Sequence, residues 1–139
     1  YWSNPLHATA TDPAIVLTRG SAGSRLDITA TSTIADGFVR FGFLLPGDRV
    51  IKKILVGYQT ANAVNFINGI RMTSAILPPS SPVRLDQAGP LNSTTPVLYE
   101  TPATNVPVDG AITLSLRCTF GNTTDRISVS SIGLVLGIA

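Results

Sequence analysis

Cysteine, histidine, tryptophan and lysine are almost missing from this chain. A single cysteine, Cys118, stands in 139 residues, which excludes an intrachain disulfide and a cysteine metal cluster. The only histidine, His7, lies in an aperiodic stretch ahead of any strand-like segment, so a hydrolytic triad would lack a base held by a scaffold. Charged residues make up 13%, with a formal net charge of +2. The basic ones are scattered, Lys52-Lys53 being the only adjacent pair, and the clustered basic stripe of a nucleic-acid binder is absent. No apolar run approaches the roughly 18 or more residues of a membrane-spanning helix. Amphipathic helices, internal repeats, glycine-rich phosphate loops, zinc motifs and nucleotide fingerprints are missing too. The eight acidic residues fall mostly at turns, where aspartate bonds nearby backbone, and no D-x-D-x-D loop exists to hold calcium. Neither an enzyme nor a cofactor is expected.

What is present is β-pattern. Ile112, Leu114, Leu116, Cys118 and Phe120 alternate with Thr113, Ser115, Arg117 and Thr119, the two-residue period of a half-buried strand. This places the Cys118 thiol on the core side. Val39, Phe41 and Phe43 share one face, opposite Arg40 and Gly42, and Leu26, Ile28 and Ala30 repeat the pattern. The stretch from Phe38 to Thr60 reads as two neighbouring strands hinged at Pro46-Gly47-Asp48, and Gly121 to Asp125 reads as a hairpin turn into a last strand from Arg126 to Ile138. Phe66, Ile70 and Met72 share one side of a further strand, within which Asn68-Gly69 marks a bulge or a turn, and a bulge is expected near Ser130-Ser131, where the apolar parity changes. Seven of the ten prolines lie between Pro78 and Pro107, so that segment is expected as a surface excursion broken by an edge strand at Val97 to Glu100.

About eight short strands between Gly, Pro and Asn turns predict an all-β domain. The architecture expected is a single jelly-roll-like antiparallel β-sandwich over residues 24–139, with an extended arm over residues 1–23. The arm joins a polar start, a Gly-Ser link at 20–24 and the β-prone run Ile15, Val16, Leu17, features that suit a strand exchanged between copies. The last strand, Phe41 to Leu45 and Ile54 to Val56 are apolar on both parities. With a mean hydropathy of +0.30, this points to sheet faces covered from outside.

In this strand layout the chain resembles the jelly-roll and pilin-like subunits of extracellular appendages and virus particles. The resemblance implies a non-enzymatic subunit that self-assembles into a filament, appendage or shell, with copies of itself as partners. Trp2, Ile15, Val16, Leu17, Leu55, Leu134 and Leu136 are the candidate assembly interface. The alternative is a carbohydrate-binding or adhesion module, in which Trp2, Tyr58 and Tyr99 offer aromatic faces to a glycan partner. An extracellular or cell-surface location is expected. The chain begins at Tyr1, Ser and Thr supply 28 residues against two Lys, and Asn92 and Asn122 stand in N-x-S/T sequons as candidate glycosylation sites.

Overall fold

The computed structural model describes residues 1–19, 25–75, 82–107 and 110–138. The expected Gly-Ser link at 20–24, the prolines Pro78 and Pro79, and Asp109 lie outside the described residues. Twelve strands are described: β1 (Trp2–Ser3), β2 (Thr9–Ala10), β3 (Ile15–Arg19), β4 (Leu26–Ala30), β5 (Ile34–Leu44), β6 (Arg49–Thr60), β7 (Asn65–Ala75), β8 (Val83–Leu91), β9 (Val97–Glu100), β10 (Val106–Pro107), β11 (Ala111–Phe120) and β12 (Ile127–Ile138). All pairings are antiparallel. One sheet runs β10-β6-β12-β4-β3, with β1 also on β12 and β9 also on β6, and the other runs β2-β5-β11-β7-β8. The protein is thus an all-β, jelly-roll-like antiparallel sandwich.

The core lies between the sheets. Val39, Phe41 and Phe43 of β5, the even positions of β11 from Ile112 to Phe120, and Ile70 and Met72 of β7 face inward from one side. Leu26 and Ile28, Ile54 and Val56, and Ile127, Val129, Ile132 and Leu134 face them from the other. Each fully buried side chain of this size contributes about 1.5–3 kcal/mol of transfer free energy. Bulges fall where the parity breaks. The register of β12 on β6 shifts between Val129 and Ser131. That of β7 on β11 shifts at Asn68, which turns Ile67 inward and leaves Phe66 off the core face. Cys118 is fully buried, and burial pushes its thiol up to about 12.

Two expected hairpins are not hairpins. β5 and β6 belong to different sheets, so Pro46-Gly47-Asp48 carries the chain across the sandwich, with Asp48 in the left-handed region at φ 59°. β11 and β12 are likewise in opposite sheets, and Gly121 to Asp125 arches between them. A polar cluster holds that arch. Buried Asn65 accepts from the backbone N–H groups of Gly121 and Asn122 and donates to Asn122 Oδ1 (2.9 Å) and the Asp125 carbonyl (3.1 Å). The proline-rich excursion also contains a strand that the sequence pattern did not show, β8, at the edge of the second sheet, where Pro90 sits without interrupting a central ladder.

The exchanged strand is corrected as well. β3 pairs with β4, β2 with β5 and β1 with β12, all within this chain. Backbone groups expected to pair with a neighbouring copy are satisfied locally. Arg19 secures the arm further, donating from Nε to the Leu6 carbonyl (2.7 Å) and from its guanidinium to the Ala8 carbonyl (3.0 Å).

Candidate functional site

Trp2 is the largest exposed aromatic side chain, with 57% of its surface open. Its position follows from backbone pairing. Tyr1 N donates to the Leu134 carbonyl (2.8 Å), Leu134 N donates back to the Tyr1 carbonyl (2.7 Å), and Trp2 stands opposite Gly133. The six-membered ring of the indole occupies the space a side chain at 133 would need: a Cβ there would lie 2.5 Å from Trp2 Cε3. One side of the ring therefore rests on the sheet while much of the indole meets solvent. Tyr1 bridges to the second sheet, donating from its hydroxyl to the Leu44 carbonyl (3.1 Å) with its ring 6.4 Å from that of Phe43.

Trp2 forms the ridge between two grooves. One, of about 340 Å³, runs over the outer face of the first sheet along Gly57, Pro96, Leu98, Ser130 and Ser131. The other, of about 260 Å³, is lined by Ser3, Asn4, His7, Gly42 and Leu44. An open indole flanked by hydroxyl, amide and imidazole groups has the two chemistries a sugar ring asks for, an apolar face to stack on and polar partners for its hydroxyls. His7 sits in a single 3₁₀ turn (Pro5–His7) capped by the Asn4 side chain, and among the described residues it has no carboxylate partner to make it a catalytic base.

A third groove, of about 400 Å³, lies on the outer face of the second sheet and is lined by Phe38, Arg40, Arg71, Thr73, Thr113 and Ser115 with Val83 at its edge. Strand register builds it: Arg40, Ser115, Arg71 and Asp86 stand in one cross-strand row, and Phe38, Arg117 and Gly69 in the next. The Arg40 and Arg71 guanidinium carbons lie 5.4 and 5.7 Å from the centre of the Phe38 ring. Arg71 pairs with Asp86 at 3.0 Å and Arg117 with Asp36 at 3.6 Å.

The sequence-predicted residues separate. Trp2 stays exposed. Tyr58 is turned into the core, where its hydroxyl accepts from Ser93 N (3.2 Å), and Tyr99 packs partly against the same core from the edge strand. Ile15 and Leu134 are buried in their own chain, Leu17 and Leu136 pack against that core, and Leu55 is only 8% exposed. Val16 is exposed. Asn92 is exposed, whereas the Asn122 side chain is bound at both ends within the Asn65 cluster. The third groove went unread because Arg71 shows no alternation that singles it out; the outward parity of Arg40, Ser115 and Arg117 was its visible signal. Among the described residues no group of three His, Cys, Asp or Glu side chains is placed to hold a metal, and no helix is long and apolar enough to cross a membrane.

No protein-family model and no curated protein matches the sequence. Solved structures do match the fold. The chain is similar to the carbohydrate-binding module CBM36 in complex with calcium and xylotriose, at 10% identity and a TM-score of 0.55, covering 97% of this chain and 99% of that one. It is similar to a CBM4 structure at 12% identity and a TM-score of 0.57, covering 94% and 78%. It is also similar to the C-terminal family 22 carbohydrate-binding module of Clostridium thermocellum Xyn10B, at 15% identity and a TM-score of 0.54, covering 100% and 95%. At these identities the likeness is one of fold. The expectation of a self-assembling filament or shell subunit is corrected: the arm is paired in its own chain, and these fold neighbours are carbohydrate-binding modules rather than assembly subunits.

Proposed function

We propose that this chain is a non-catalytic carbohydrate-binding module acting outside the cell, with Trp2 as its stacking platform and glycans as its partners. The observation that carries this reading is the indole seated on Gly133, open to solvent between a mainly apolar groove edged by Ser130 and Ser131 and a second groove bearing Ser3, Asn4 and His7. Burying a tryptophan face against a pyranose removes apolar surface from water on both partners, and the adjacent Ser130, Ser131, Asn4 and His7 supply donors and acceptors for ring hydroxyls. The fold neighbours support the same class. Burial keeps the Tyr58 ring out of the site, while Tyr99 stands on β9 beside the first groove's Val97 and Leu98.

Affinity electrophoresis against a panel of neutral polysaccharides tests the reading. The intact chain is expected to be retarded by at least one of them, and Trp2→Ala to abolish the retardation while the melting temperature stays within a few degrees. Retardation unchanged by Trp2→Ala, or absent on every polysaccharide, would count against the platform.

A further inference from the structure

The outer face of the second sheet carries an arrangement that the Trp2 platform does not use. Arg40 and Arg71 stand on either side of Ser115 in one cross-strand row. Neighbouring strands lie about 4.8 Å apart, so the two arginine backbones are separated by about 10 Å with a hydroxyl-bearing floor between them. The hydroxyl of Ser115, a residue only 4% exposed, makes no hydrogen bond among the described residues.

The donors are only partly used. Arg40 donates to Thr11 Oγ1 (2.7 Å) and has no carboxylate partner among the described residues. Arg71 pairs through its terminal nitrogen with Asp86, while its Nε is buried without a hydrogen-bond partner. The Phe38 ring holds both guanidiniums beside the groove through cation–π contact. A neutral hydroxyl entering here would leave the charge of Arg40 unmatched. A planar or tetrahedral oxyanion matches the charge and the fork geometry of two guanidiniums together.

We infer that this groove binds the anionic group of an acidic saccharide, a uronate carboxylate or a sulfate ester, between Arg40 and Arg71 above Ser115. The saccharide part rests on the carbohydrate-binding reading; the anion part rests on the arginine pair alone.

Titration calorimetry on the intact chain with hexagalacturonate, its full methyl ester and a sulfated galactohexaose separates the possibilities. One of the two anionic oligomers is expected to bind roughly tenfold or more tightly than the ester, with affinity falling as sodium chloride is raised. Whichever anionic arm binds identifies carboxylate or sulfate. Arg40→Gln is expected to remove that advantage, Arg40→Lys to restore part of it, and Trp2→Ala to leave the discrimination intact. Melting curves accompany each variant, and Arg40→Gln decides if Arg71→Gln fails to fold. Neither anionic oligomer binding more tightly than the neutral ester, or an advantage unaffected by Arg40→Gln, overturns the inference. Binding of neutral polysaccharides with both anionic arms silent overturns it while the Trp2 reading stands. Silence of every saccharide overturns both.

Discussion

Trp2 and Gly133, 131 positions apart in sequence, occupy one another's space: the indole lies where a side chain at 133 would be. Gly133→Val is therefore expected to lift the ring from the sheet and weaken glycan binding as strongly as Trp2→Ala. Overpacking at such a site costs about 1–3 kcal/mol, which leaves the fold standing. Trp2 is the only tryptophan, so its fluorescence reports the platform directly. A red-shifted emission in Gly133→Val, and a change in wild-type emission on adding sugar, are the expected signals. Identical spectra in the two proteins would contradict the seating.

Asn65 ties the β6–β7 turn to the arch between β11 and β12 through four hydrogen bonds. Asn65→Ala leaves the Asn122 N–H without its acceptor in a part-buried setting and removes both amide donations, while the Gly121 N–H keeps the Val64 carbonyl; each polar group left unmet costs about 1–3 kcal/mol. A loss of about 3 kcal/mol by urea denaturation is expected, with saccharide affinity per folded molecule unchanged. A loss below about 0.5 kcal/mol would show that the cluster is dispensable.

Tyr58→Phe removes the acceptor of Ser93 N and nothing else that the ring provides to the core. A destabilisation of about 1 kcal/mol with unaltered glycan affinity is expected. Reduced affinity at full stability would return Tyr58 to the binding surface.

Cys118 links stability to alkaline pH. Its thiol is raised from 9.0 to about 12 in the folded chain, so the folded state holds its proton where the unfolded chain has lost it. The contribution is complete below pH 9 and declines as pH rises towards 12, at up to about 1.4 kcal/mol per pH unit. Cys118→Val is expected to flatten this part of the stability–pH curve relative to the parent, and the native thiol to resist alkylation at neutral pH. Rapid modification of the folded protein would place the thiol outside the core.

Much of the fold was legible because alternation is a local property. The strict period of β11 and the Val39, Phe41, Phe43 face specify inward sides without any partner, and the bulge at Ser130-Ser131 announces itself as a change of parity, whereas Phe66, expected on the side of Ile70 and Met72, gives its place to Ile67 across the bulge at Asn68. β6 was ambiguous. With apolar residues on both faces, only its place between β12 and the β9 and β10 edge turned Ile54, Val56 and Tyr58 inward and left Leu55 on the outer face beside Gly133. The two turns misread as hairpins show the same limit, since Pro-Gly-Asp and Gly-Asn-Thr-Thr-Asp stop a strand without saying which sheet takes up the next one.

The sequence by itself determined an all-β sandwich, the inward faces of β4, β5 and β11, a buried thiol and an aromatic near the start of the chain. Tertiary structure alone decided that the arm folds back on its own sheets, that Trp2 finds a glycine to rest on, and that Arg40, Ser115 and Arg71 share one row. Periodicity is set by the pleat of each strand, whereas a binding face is set by register between strands distant in sequence. The energy that selects that register comes from the whole buried core.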